Sequence, residues 1–206
     1  MPESEQKQDL RKNLKNVSII IPVWKQGTEL QKLLSDIEPF GAEIIQASEG
    51  SRAKSMNAGA DKASREFLCF LHADSRITQE NVDSLVQSIN ENPKAVHYFD
   101  LVFEKAGLSA WNASWANLRS SYFKLPYGDQ GLCVSKSQFN LIGAYPEDTP
   151  YGEDLLFIRK AKQLEVAILS TKSKIISSAR KYHTQGWLKT TFSHWAIMVE
   201  LLRKKI

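Results

Sequence analysis

Phe67-Leu68-Cys69-Phe70-Leu71 is an uninterrupted apolar run that stops abruptly at His72-Ala73-Asp74-Ser75, where the side chains become capable of binding a metal. A run this short, without alternation and with polar flanks, predicts a strand buried on both faces of a largely parallel sheet. The C-terminal ends of such strands are where open α/β sheets place their chemistry. His72 and Asp74 are separated by one small residue, so both can project toward one point and offer an imidazole nitrogen and a carboxylate oxygen to a divalent cation. A plainer use of the same residues is a strand-to-helix turn in which Asp74 caps the helix.

The rest of the chain supplies the neighbours that such a strand needs. Val17-Ser18-Ile19-Ile20-Ile21-Pro22-Val23 is a β-branched strand closed by proline, and residues 43–47 read as a second strand. Leu30, Leu33, Leu34 and Ile37 mark one helical face between them, stopped by Pro39 and Gly41. After the polar turn Ser48-Glu49-Gly50-Ser51 comes a helix with a small inner face, Ala53, Met56, Asn57, Ala60 and Ala63, suited to close packing on a sheet. Val82, Leu85, Val86 and Ile89 give a further helical stripe, and residues 95–103 a long strand. Alternation of strand and helix predicts an α/β, doubly wound, mostly parallel sheet flanked by helices. Beyond it lie an aromatic-rich helix at residues 108–123, a strand at 131–134 and a helix opened by Ser135-x-x-Gln138. A loop with Gly143, Pro146 and Pro150 then delivers Gly152-Glu153-Asp154 to an apolar helix.

The 206 residues suffice for one sizeable core, and no linker or repeat divides them, so we read a single domain over residues 17–206. Residues 1–16 are polar and without an apolar segment, which predicts a flexible tail, neither a signal peptide nor a membrane span. The net charge of +4 gathers at the two ends, in residues 7–15 and in Arg203-Lys204-Lys205, too weak a pattern for nucleic-acid binding. Cys69 and Cys133 sit inside apolar runs, which points to buried thiols in a reducing, cytoplasmic setting. His97 and His194 read as structural histidines.

Nucleotide chemistry of two common kinds is disfavoured. Trp24-Lys25-Gln26-Gly27 after the first strand supplies no GxGxxG fingerprint, and no GxxxxGK[ST] loop occurs anywhere. Five ordered motifs point elsewhere. Ser18-Ile19-Ile20-Ile21-Pro22-Val23, Ala53-Lys54-Ser55-Met56-Asn57-Ala58-Gly59-Ala60, Phe70-Leu71-His72-Ala73-Asp74, Gly128-Asp129-Gln130-Gly131 and Gly152-Glu153-Asp154 resemble the family-2 glycosyltransferases of GT-A fold. The likeness is to a compact bacterial subgroup whose metal motif reads His-Ala-Asp, and it runs from residue 17 to about 203.

The resemblance implies an inverting, metal-dependent transferase that moves a sugar from a nucleotide-diphospho-sugar to the hydroxyl of a sugar or lipid-linked acceptor. A leaving nucleoside diphosphate needs its developing charge stabilised, in this family by Mg²⁺ or Mn²⁺. It implies Asp74 as metal ligand, with His72 beside it as a second ligand, a ribose contact or an orienting group. Asp154 matches the base that takes the acceptor's proton; a helix first turn that favours acidic residues explains Glu153 and Asp154 more plainly. Asp129 and Gln130 match the acceptor-side loop, and Glu153 neighbours the base. Pro22 closes the first strand at the donor side, where Arg52, Lys54 and Asn57 stand at a helix start suited to a diphosphate. Arg180 and His183, in Ser178-Ala179-Arg180-Lys181-Tyr182-His183, resemble the segment that closes over the donor, near phosphate or metal.

One departure stands out: the second strand ends in Gln46-Ala47-Ser48-Glu49-Gly50, without the Asp-rich turn that in this family holds the nucleoside; Glu49 or Ser48 could substitute, or donor binding is weakened or altered. Two rivals follow, a non-catalytic carbohydrate- or nucleotide-binding module of the same fold and a sugar nucleotidyltransferase. The second would carry a glycine- and basic-rich signature after its first strand, where residues 24–28 show none. Finally, residues 187–206 interleave Trp187, Phe192, Trp195 and Met198 with polar residues and end in a basic cluster. That predicts an amphipathic C-terminal helix, packed on its own domain or a partner, or making peripheral contact with an anionic membrane.

Overall fold

The structure, a computed structural model, describes residues 14–103, 108–149 and 151–177. Seven strands form one sheet: β1 (Val17–Pro22), β2 (Glu43–Ala47), β3 (Phe67–Phe70), β4 (Ser75–Arg76), β5 (Val96–Phe103), β6 (Leu132–Ser135) and β7 (Ile168–Ser177), in the order β2-β1-β3-β6-β5-β7-β4. The β2-β1-β3 group is parallel, and so is β5-β7. β6 runs antiparallel to both of its neighbours and joins the two groups, and β4 lies antiparallel on the β7 edge. The alternating pattern foresaw the parallel groups; the inserted antiparallel strand was not visible in it.

Period-two alternation sorts the strand side chains onto two cores. Ile19, Ile21, Cys69, Leu71, Phe99 and Leu101 face one side, where α1 (Thr28–Ile37), α3 (Gln79–Glu91) and α4 (Leu108–Phe123) pack. Ile20, Leu68, Phe70, Tyr98, Leu132 and Val134 face the other, under α2 (Arg52–Lys62), α5 (Lys136–Ile142) and α6 (Glu153–Gln163). Both faces of the sheet are therefore covered, as an apolar strand such as β3 requires. Leu14 is 2 % exposed and its N–H donates to the Phe40 carbonyl, so the packed fold begins before residue 17. The expected tail of residues 1–16 is corrected to that extent: an apolar side chain at position 14 finds the core of α1 and β1 within reach.

Local signals explain the helix starts. The Ser51 hydroxyl accepts from Lys54 N–H at 3.1 Å and opens α2. Thr78 and Asn81 form a reciprocal capping box at α3, and Asn81 also donates to the Lys174 carbonyl at 3.0 Å, tying the helix to β7. Asn117 on α4 takes both the N–H and the carbonyl of Leu101, at 2.7 and 2.9 Å, where β6 has stopped pairing with β5. His97 is fully buried, with its ring nitrogens 2.7 Å from the Ser88 hydroxyl and 3.0 Å from the Asn92 carbonyl, which makes it structural. Among the described residues no helix is long and apolar enough to cross a membrane. Residues 187–206, on which the membrane expectation rests, lie outside the described residues.

α2 approaches the sheet closely because Gly59 carries no side chain: a Cβ there would stand 2.5 Å from Ile20 Cγ2, itself fully buried on β1. Alanine would gain about 1 kcal/mol of helix propensity, but overpacking a closed core costs roughly 1–3 kcal/mol. Gly59→Ala is expected to be net destabilising by about 1 kcal/mol, read as a lower urea midpoint at unchanged slope. A midpoint at or above that of the parent would show that α2 can lift off the sheet at no cost.

Candidate functional site

Four segments converge at the end of β3. The chain turns there, with the Ser75 N–H donating to the His72 carbonyl at 3.0 Å, and the turn presents His72 and Asp74. Asp74 is no helix cap, because α3 starts later and is capped by Thr78. The short 3-10 turn Gly128–Gln130 precedes β6, the strand paired with β3. α2 brings Arg52 in its first turn, and α6 brings Glu153 and Asp154 in its first turn. The start of α6 is fixed by an aromatic cluster: Tyr145 lies 4.9 Å from the Phe157 ring and 5.0 Å from that of Phe70 on β3, centroid to centroid.

Asp154 is the centre of the arrangement. It is 7 % exposed, accepts from Gly128 N–H at 2.6 Å through Oδ2 and from Leu155 N–H at 2.8 Å through Oδ1, and its Oδ2 lies 3.7 Å from Arg52 Nη2. Burial pushes its carboxyl up; the Arg52 charge, the two N–H groups and His72 together outweigh that and hold it below the usual carboxylate value. Gly128 can approach so closely because it lacks a Cβ, which would stand 3.1 Å from Asp154 Oδ2 and 3.0 Å from His72 Nε2.

Arg52 bonds through Nε to Glu153 Oε1, and its Nη1 stands 3.2 Å from His72 Nε2. Burial works against the guanidinium charge, yet Asp154, Glu153 and Asp129 raise its proton affinity overall. The described contacts of its fork lie on its own chain's carboxylates and on His72. Asp129 stands beside this group with its Oδ1 buried and without a hydrogen-bond partner. Burial, with the charges of Asp154 and Asp74, pushes its carboxyl up against the opposing pull of Arg119 and Arg52.

Other expected residues fall elsewhere. Gln130 is fully buried: its Nε2 donates to the Phe99 carbonyl at 3.1 Å, and its Oε1 accepts from the Ser120 hydroxyl at 2.6 Å. It is a corrected expectation, a residue that shapes the loop from beneath and does not face an acceptor. The Asn57 amide is committed to the backbone of Tyr145, at 2.9 and 3.0 Å, and to Glu147, so it ties α2 to the loop after α5. Pro22 ends β1 beside Ala47. Glu49 is exposed in the turn after β2, 3.8 Å from Lys62 Nζ, and Lys54 is exposed on α2. Arg180 and His183 lie outside the described residues.

Two contributors went unnoticed in the sequence. One is the Gly128 amide, inside a motif read for its side chains. The other is Arg119, a lone charge in an aromatic-rich helix, whose guanidinium carbon lies 3.4 Å from the Tyr127 ring centroid and whose Nη2 is buried without a hydrogen-bond partner. Among the described residues no three His, Cys, Asp or Glu side chains cluster closely enough to hold a metal by themselves.

The sequence profile of Glycosyl transferase family 2 matches residues 24–142, which include the His72-Ala73-Asp74 turn and the Gly128–Gln130 turn. The chain belongs to glycosyl transferase family 2. Among solved structures, S. aureus TarS 1-349 is similar with a TM-score of 0.60 at 18 % identity, over 79 % of this chain and 60 % of that one. The same protein in complex with UDP-GlcNAc gives 0.58 at 18 % identity, over 79 % and 58 %. The mannosyltransferase PcManGT from Pyrobaculum calidifontis, in complex with GDP-Man and Mn2+, gives 0.58 at 11 % identity, over 82 % and 59 %. At such identities the likeness establishes the GT-A fold. The family-2 chain spans about three fifths of these proteins' length. No curated protein matches it.

Proposed function

We propose that this family-2 domain is an inverting, divalent-metal-dependent transferase that moves a sugar from a nucleotide-diphospho-sugar to an acceptor hydroxyl. The observation that carries the reading is Asp154, a buried carboxylate held ionised by Arg52 and two backbone N–H groups beside the C-terminal end of β3. An ionised, oriented carboxylate is what a single displacement needs to receive the proton of the attacking hydroxyl. Its bonds to Gly128 and Leu155 fix its direction before substrate arrives, which removes an ordering cost from the reaction.

The donor diphosphate lies in this reading beside Asp74 and the first turn of α2, with Lys54 as an exposed cation and Glu49 toward the nucleoside. Arg180 and His183 remain donor-side residues in this reading. The donor set suits Mg²⁺ or Mn²⁺: Asp74 and the unpartnered Asp129 Oδ1 offer hard oxygens. An ion of this kind takes its other ligands from phosphates and water. When bound, such a cation supplies charge stabilisation for the leaving diphosphate. Asp129, whose carboxyl burial pushes up, stands in this reading beside the acceptor hydroxyl. The acceptor is a sugar, free or lipid-linked, and the reading places the domain in the cytoplasm with no nucleic-acid partner.

A thermal-shift panel of UDP, GDP, CDP, ADP and dTDP sugars, with and without Mn²⁺, tests the reading, since a ligand confined to the folded state raises the melting temperature. One nucleotide class is expected to stabilise the protein, and only with the metal present. A flat response across the panel overturns the donor assignment.

A further inference from the structure

Arg52 spans three elements: from the first turn of α2 it reaches Glu153 and Asp154 at the start of α6 and His72 at the end of β3. A phosphate-binding arginine presents its planar fork to the ligand. Here Nε is spent on Glu153, and Nη2 stands beside Asp154. The two carboxylates are adjacent in sequence and only 3 % and 7 % exposed, so water screens their repulsion poorly. Without the guanidinium they would be neighbouring buried charges lacking a counter-ion, a condition that costs several kcal/mol or is relieved by movement. The movement open to Asp154 is away from the Gly128 N–H, because that single 2.6 Å bond is what holds Oδ2 toward the 128–130 turn.

We propose that Arg52 is a positioning residue for the Asp154 carboxylate, holding Oδ2 on the Gly128 amide and toward the acceptor, and that it does not serve as a ligand of the donor diphosphate. This deepens the reading of Asp154 as the base and rests on it. Arg52 thus links the donor-side helix to the base through its own side chain, and its loss is felt in the direction of the carboxylate before any substrate is present.

The Gly128 amide is the reporter. In ¹H–¹⁵N spectra of the ligand-free protein, Asp154→Ala gives the position of that resonance with the bond absent. Arg52→Gln is expected to displace it by at least about half as far in the same direction, while the dissociation constants of UDP and GDP in the presence of Mn²⁺ stay within about threefold of the parent. Should Arg52→Gln fail to fold, Arg52→Lys, which keeps the charge and loses the fork, takes its place and is expected to give a smaller displacement of the same sign. A Gly128 resonance that does not move in the folded variant overturns the proposal. So does a loss of nucleotide affinity of about tenfold or more, whatever the resonance does. An Asp154→Asn protein that keeps its turnover removes the base reading and leaves the Gly128 result standing, so the two fail separately.

Discussion

Asp154→Asn is expected to lower turnover on the order of a hundredfold or more while leaving donor affinity within about threefold. The substitution is nearly isosteric and keeps a carbonyl oxygen for the Gly128 N–H, so the loop before β6 stays in place; what is lost is the atom that receives the proton. The pH profile carries the same assignment. Because the Asp154 carboxyl is held below its ordinary value, chiefly by Arg52 against the effect of burial, the proposed base is ionised at neutral pH. Activity limited by that group is therefore level through the neutral range and lost only as pH falls through the lowered value. Folding stability linked to it runs the same way, present above the unfolded carboxylate value and lost in acid. Initial rates against donor concentration for both proteins decide the matter. A variant that loses donor affinity and keeps its rate at saturation would move Asp154 into the donor site.

The second large effect is on binding. Asp74→Asn is expected to remove metal-dependent affinity for the nucleoside diphosphate, by more than about tenfold or 1.4 kcal/mol, with the melting temperature of the free protein unchanged within a few degrees. Asp74 stands in the turn after β3, outside the residues whose backbone pairs with β1 and β6, so a nearly isosteric amide leaves that ladder intact. An amide is a far poorer ligand for a hard cation than a carboxylate. Calorimetric titrations of UDP and GDP, with Mn²⁺ and with chelator, measure the difference. Equal metal-dependent affinity in the variant would assign the cation to other oxygens.

Much of the scaffold was legible because it is written locally. The apolar run at residues 67–71, the β-branched first strand and the Leu30, Leu33, Ile37 stripe each carry their own period, and each forms the expected element. Glu43–Ala47 and Leu108–Phe123 match even in their bounds. Part of what escaped has no local period. β4 is two residues long, and β6 gives no sign in its own sequence of which neighbours it will pair with or in which direction. The motifs named Asp154, Arg52 and His72 one by one, but the bond between Arg52 and Glu153 joins residues 101 positions apart, which no spacing rule reaches. Gln130 misled for a related reason. A polar residue in a polar loop reads as solvent-facing, and only the carbonyl of Phe99 and the hydroxyl of Ser120 show where its amide is satisfied.

The placement of β6 sets an order on the making of this molecule. A ribosome delivers β1, β2 and β3 early, and those three can pair in parallel as soon as they emerge. The outer side of β3 is paired by Leu132–Ser135, so until that stretch has been synthesised a flat apolar strand is left with open backbone groups. Such an open strand is a template for pairing with another nascent chain. Truncations that end ahead of β6 would thus be sticky fragments in the cell, and a chaperone that shields strand edges would find its substrate in the interval between β3 and β6.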